Sequence, residues 1–339
     1  FPVADALMFV EADPMGFPGV GFLGASFYSA PNPEVGAPIS YYIKEDHKTL
    51  KEIRNEAEKE LQDEGKDVAL PTYDTRKKEA TEEDPFLLFV ISDADGRVIR
   101  KIKKGIEAGV RRLVWDFRAG PVGPISLDSG GDYVPWDTPE QGYMVPPGVY
   151  RVAMYRYDDG VLSQLGEAQD LSCQPLNDAG LSAVDREALD TFNRKVAELS
   201  RAISSADAHR KHLQKSLPYL ERAILGSSGL DESGLAELSA IRTQLREIDE
   251  KLNGDHLLVM EEGQARMSLK GRTDLIISAL WSTTSGSTGT FERAYQEAKD
   301  GFGEVLVALR QADARIGSLE DELEDAGAPY TPGRLPVWE

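Results

Sequence analysis

At 339 residues, with 41% hydrophobic and 28% charged side chains, the chain is globular material long enough for two domains with separate cores. Its 58 acidic residues against 38 basic ones give a formal net charge of −20, a field that repels phosphate backbones, and no Lys/Arg stripe interleaved with aromatics is evident, so nucleic acid is excluded as a partner. One cysteine, Cys173, rules out an intrachain disulfide, and no apolar run approaches the roughly 20 residues of a membrane-spanning helix, which excludes a direct membrane span.

The start, Phe1-Pro2-Val3-Ala4-Asp5, has no initiator Met, basic n-region or apolar h-region, so the numbering is expected to begin inside a longer precursor. Residues 1–38 read as an extended N-terminal segment packing on a sandwich built from residues 39–175. Ile39–Lys44 and Phe86–Ser92 are strand-like by their β-branched and aromatic content. Between them, residues 46–64 place Leu50, Ile53, Ala57 and Leu61 on one stripe, predicting an amphipathic helix that covers a sheet edge or, alternatively, meets a partner. Asp93-Ala94-Asp95-Gly96 between apolar runs predicts a hairpin, Val110–Arg118 a further strand, and the turn at Asp158-Asp159-Gly160 a second hairpin begun by Val149–Tyr155. Strands at this spacing indicate that the sandwich is antiparallel and immunoglobulin-like.

Residues 119–147 form a long loop rich in Gly and Pro, either a binding loop or an Ω-loop packed on its own domain. Its Tyr133, Trp136, Tyr143 and Met144, with Tyr330, Arg334 and Trp338 of the Pro-rich tail (residues 328–339), are the candidate partner-binding residues.

Near Pro175 the apolar spacing changes to alternating threes and fours. Ser182-Ala-Val-Asp185 has the form of a capping box and opens a helix with the stripe Leu189, Phe192, Val196, Leu199, Ile203, Ala206, Leu213 and Leu217. Arg210 fills its one polar slot, and Pro218 is expected to kink or end it. A second helix from about Asp231 stops at Gly254, and Leu275–Trp281 leads into a Ser/Thr/Gly linker, Ser282–Thr290. The last helix carries Tyr295, Ala298, Phe302, Val305, Leu309, Ala312, Ile316, Leu319 and Leu323 and ends at Gly327. Residues 176–327 thus read as an antiparallel helical bundle, making the whole an α+β chain of two domains.

Chemistry-bearing patterns are few. His209 and His212 have a metal-compatible spacing but no third ligand in register, and they read as solvated helix residues. Asp93 and Asp95 fit the hairpin without a calcium loop, while Asp128, Asp132 and Asp137 could bind Ca²⁺ but suit an acidic loop equally. Ser126–Tyr133 matches a sialidase-type Asp-box loosely, in one copy. Trp115-Asp116-Phe117-Arg118 reads as an ion pair over a buried aromatic pair. No catalytic, cofactor-binding or metal-binding residue is assigned, and no cofactor is expected.

Several stretches in order carry a resemblance: Gly24-Ala-Ser-Phe-Tyr-Ser-Ala-Pro-Asn32-Pro33, Ser40-Tyr41-Tyr42, Val114-Trp115-Asp116-Phe117-Arg118, Pro147-Gly148-Val149-Tyr150 and Gly327-Ala-Pro-Tyr-Thr-Pro-Gly333-Arg334-Leu-Pro. Together they resemble the C-terminal region of bacterial exported proteins with a sortilin-like (VPS10/BNR-repeat) β-propeller, often labelled glycosyl hydrolases. The resemblance implies a periplasmic or extracellular protein whose propeller would precede residue 1. The hydrolase label attaches to that propeller, which this chain lacks, so no catalytic residue carries over. The expected function is a non-catalytic scaffold or accessory subunit that binds other proteins, in a larger membrane-anchored complex on its periplasmic face. The alternatives are a carbohydrate-binding chain, with a glycan on Tyr133, Trp136 and Tyr143, and a metal-dependent hydrolase.

Overall fold

The computed structural model describes residues 1–3, 5–9, 34–125, 142–176, 185–227, 232–263 and 265–334. The chain is mixed α+β and divides into two compact units: Phe1–Gly120 with Met144–Gly180, and Pro121–Tyr143 with Leu181–Glu339.

The first unit holds the strands. β1 (Ala6–Met8), β3 (Phe86–Asp93), β4 (Val98–Lys104), β6 (Gly148–Asp158) and β8 (Gln169–Pro175) form one sheet in the order β1-β8-β6-β3-β4, with β7 (Val161–Gln164) also paired to β6. All its pairings are antiparallel except β1 with β8. The N-terminal segment thus enters the sheet as a strand, while residues 10–33 lie outside the described set. β2 (Ala37–Ile43) and β5 (Gly109–Trp115) make a separate antiparallel pair. Tyr41 of β2 meets Phe89 of β3 at 4.9 Å, and Trp115 of β5 meets Tyr150 of β6 at 5.1 Å, so both sheets share one core. Gly36 leads into β2 at φ 144°, where an added Cβ would lie 2.4 Å from the Trp115 carbonyl oxygen; only glycine fits.

Both expected hairpins form. In the first, the Asp93 carboxylate accepts from the main-chain N–H of Asp95 and Arg97 and from Arg97 Nε. Burial alone would raise this carboxyl, but the Arg97 bonds more than offset it and hold it below its ordinary value. β5 ends at Trp115, earlier than the expected strand. Phe117 turns the chain at φ 58° while remaining fully buried, the Trp115 indole donates to the Arg118 carbonyl, and the Asp116 carboxylate accepts from the Arg118 N–H.

The predicted inserted helix is α1 (Leu50–Asp63), started by a complete Thr49/Glu52 capping box, and it is followed by a second helix, α2 (Tyr73–Thr81). Neither has a buried residue, and α1 packs against α2. The expectation that α1 covers a sheet edge is therefore corrected: the helices form an arm. Arg54 holds it together, donating to both Glu79 oxygens at 2.6 and 3.2 Å and to Glu58 at 2.6 Å.

The second unit contains α3 (Arg186–Gly226), α4 (Glu232–Asn253), α5 (His256–Glu262), α6 (Leu269–Leu280) and α7 (Gly289–Asp325). α3, α4, α6 and α7 pack around a common apolar core that includes Ile203, Leu217, Ile241, Leu245, Val305 and Leu319. The N-cap of α3 is Asp185, accepting from Ala188 N; Ser182 lies outside the described residues. α3 also runs through Pro218, which neither ends nor delimits it. An interior proline costs about 3 kcal/mol. Leu217, Leu220, Ala223 and Ile224 are all buried around it, and large aliphatic side chains return about 1.5–3 kcal/mol each, so packing wins. α7 reaches back to Gly289, claiming the end of the expected linker.

Candidate interaction surface

β3 is apolar at nearly every position, and its two faces do different jobs. Leu87, Phe89 and Ile91 point inward and are buried, while Phe86, Leu88 and Val90 alternate with them on the outer face and are half-buried. A sheet with one solvated face normally places polar residues there. Here the register extends the apolar face sideways. Phe86 lies opposite Tyr157, Leu88 opposite Tyr155, Val90 opposite Ala153, and Tyr157 in turn opposite Leu162. Val98, Val149 and Leu162 add side chains that are 50%, 55% and 49% exposed.

The rim of this face is polar. Lys103 lies opposite Leu88 and Lys101 opposite Val90 on β4, and Arg151 pairs with Asp170 at 2.9 Å. The Tyr157 hydroxyl donates to Glu83 Oε2 at 2.8 Å, a bond that pushes the phenol pKa upward and keeps it protonated. Phe86 and Tyr157 stack at 4.7 Å with 21° between rings, and Lys103 Nζ stands 4.3 Å from the Phe86 centroid. Phe86 is thus flanked by a group from each neighbouring strand. Its π-faces are occupied, and what it offers outward is a ring edge, suited to packing against protein side chains and unsuited to stacking a sugar.

β4 also corrects a reading of the sequence. The stretch from Arg97 to Arg112 carries seven basic residues against one acid, Glu107, so a basic block does interrupt the acidic field. Aromatic content in sequence conceals it, because Phe86, Tyr155 and Tyr157 reach Lys101 and Lys103 through strand pairing and lie far off in the chain.

Of the residues expected to bind partners, Tyr133, Trp136 and Trp338 lie outside the described residues. Tyr143 and Met144 are buried, at 6% and 8% exposure, and the Tyr143 ring meets Trp281 edge-on at 6.0 Å. Both are core residues. The tail folds back on its own unit: Pro329 lies beside Gly226, the Tyr330 hydroxyl donates to Glu324 Oε1, and Arg334 pairs with Glu324 Oε2. Tyr330 keeps an exposed ring, at 51%, whereas Arg334 is committed to Glu324.

His209 Nε2 lies 3.0 Å from Asp313 Oδ1, a link between α3 and α7. Among the described residues no group of three or more His, Cys, Asp or Glu is placed to hold a metal ion. Asp128, Asp132 and Asp137, and with them the loose Asp-box, lie outside the described residues. The Cys173 thiol is buried and its pKa is pushed up to about 12 by that burial, which makes it inert. A cleft of about 480 Å³ opens beside β2, lined by Tyr41, Tyr42, Phe89 and Met154 among others. Among the described residues no helix is long and apolar enough to cross a membrane. Comparison with known proteins finds no matching family model, no similar curated protein and no similar solved structure.

Proposed function

We propose that the chain is a non-catalytic scaffold or accessory subunit, an immunoglobulin-like sandwich joined to an antiparallel helical bundle, that binds other proteins. The single observation carrying this reading is the outer face of β3, β4, β6 and β7. It is apolar where a solvated sheet face would be polar, and it carries a charged rim, the composition of a docking surface. The sandwich reading is supported by Trp115 packed on Tyr150, whose hydroxyl donates to the Pro146 carbonyl at 2.5 Å, a link back across the start of a strand like the tyrosine corner of such folds. The bundle reading is supported by four helices sharing one core. A periplasmic or extracellular place follows from the family resemblance alone, and a membrane-anchored complex as the partner is part of this proposal.

The test replaces Leu88 and Tyr155 with Glu in the full chain. Both point outward, so circular dichroism and melting temperature should stay near the parent values. Native purification with cross-linking mass spectrometry should recover a stoichiometric protein partner with the parent chain and lose it with the variant. Unchanged recovery by the variant, or a parent chain that binds glycans and no protein, would overturn the proposal.

A further inference from the structure

We infer that the free edge of β4 is a docking site for an acidic, extended segment of a partner protein, added as a further strand to the sheet. The inference rests on the reading of the chain as a protein-binding scaffold and names the chemistry of the partner.

β4 ends the sheet order, so one side of it has no strand partner among the described residues. The Ile99 carbonyl marks which main-chain groups face that side: it accepts from Gly120 N at 3.1 Å, beyond the β3–β4 ladder. In an antiparallel pair successive residues alternate between the partner strand and the free side. Asp93 N donates to Arg97 O, so Asp93, Ile91, Phe89 and Leu87 turn their main-chain groups towards β4. Val90–Lys101 and Leu88–Lys103 are then the non-hydrogen-bonded pairs, and the N–H and C=O of Lys101 and Lys103 face the free side. These groups lie in line with the contact at Gly120 and form the template that strand addition uses.

Charge selects what can be added. Lys101, Lys103 and Lys104 are exposed along this strand. The block's internal neutralisation is slight: Arg97 pairs with Asp93, and Arg111 with Glu107 at 3.2 Å. Lys101 and Lys104 have no ion-pair partner among the described residues, although the chain holds 58 acids. Lysine on an edge strand commonly serves to repel unwanted strands, and one or two would suffice for that. Arg97, Arg100, Lys101, Lys103 and Lys104, five basic residues in eight on a chain of net charge −20, go further: they repel basic strands and attract an acidic one. Lys101 and Lys103 share the outer face and Ile102 lies on the other, so acidic residues alternating with aliphatic ones would set the acids beside the two lysines and the aliphatic side chains beside Ile102.

The experiment measures fluorescence anisotropy of a short labelled peptide alternating Glu and Val against the full chain, with a Lys/Val peptide and anionic phospholipid vesicles as competing probes. The acidic peptide alone should bind. Affinity should fall at least about tenfold in Lys101→Glu/Lys103→Glu/Lys104→Glu, and on raising ionic strength from about 0.01 to about 1 M, which shortens the screening length from about 30 to about 3 Å. Lys103→Pro separates strand addition from simple charge attraction: its N–H faces the free side, so the native ladder survives while an added strand is blocked. It should abolish binding, and Lys103→Gln should weaken it only slightly. Equal binding of the Lys/Val peptide, equal binding of vesicles, or full binding by Lys103→Pro would each overturn the inference. A partner lost by the Leu88/Tyr155 variant and retained by the lysine variants would overturn it too, while leaving the scaffold proposal standing.

Discussion

Arg210 occupies the one polar slot of a helical seam, and it is only 4% exposed. Its guanidinium donates to Asp207 Oδ1 from Nε at 2.9 Å, to Asp249 from Nη2 at 3.0 Å and to Gln214 from Nη1 at 2.8 Å. Asp207 is also buried and accepts from Lys211 and Asn253. Burial alone would raise the Asp207 carboxyl, and these bonds together bring it below its ordinary value. A lowered native pKa means a stability contribution fully present above the unfolded aspartate value of about 3.9, lost as pH falls through the native value. Arg210→Ala leaves Asp207 buried with fewer donors, so unfolding stability should drop by about 3–5 kcal/mol at neutral pH. Burial then dominates the carboxyl, and its acid-linked loss should begin at higher pH than in the parent. Urea titrations across that pH range measure both; a variant with unchanged midpoint and unchanged pH profile would show the cluster to be idle.

The arm of α1 and α2 shows how an element can persist without a core. Its order comes from caps and ions: the Thr49/Glu52 box, the Leu50 N–H donating to the Glu82 carboxylate, and Arg54 clamped between Glu58 and Glu79. Removing the cap by Thr49→Ala costs about 1 kcal/mol, and Arg54→Ala deletes the ion pair that ties α1 to α2. Hydrogen exchange should therefore accelerate across residues 50–81 in either variant while β3 and β6 keep their protection. Protection lost throughout the strands would mean the arm is part of the sheet's core. Elements whose pattern repeats locally, such as the seams of α3, α4 and α7 or the two hairpins, are legible in sequence because period and turn residues are contiguous. α2 carries no apolar stripe and is written only in its Thr72 cap, and α5 only in Asp255 before it and Gly263, at φ 70°, after it. The candidate surface is harder to read. The run from Phe86 to Ile91 looks like one continuous buried strand, and only the pairing with β4 and β6 reveals that Phe86, Leu88 and Val90 face outward against lysines and tyrosines.

At the scale of the whole molecule the chain builds two cores. Leu87, Phe89, Ile91, Trp115 and Leu171 fill the first unit, and the helical cluster centred on Leu217, Ile241, Leu245 and Val305 fills the second. The polypeptide passes between units after Gly120, Tyr143 and Gly180, yet each core is built from its own side chains. Core truncations cost about 3–5 kcal/mol for Phe→Ala and about 2–5 for Leu→Ala, enough to shift one transition visibly. Phe89→Ala should lower the transition followed by near-ultraviolet signals of Trp115 and Tyr150, and Leu245→Ala the one followed by helical circular dichroism. Each should leave the other midpoint in place, the behaviour of domains that are separate cooperative units. A single transition that moves by the same amount with either substitution and either probe would mean that the two cores unfold as one.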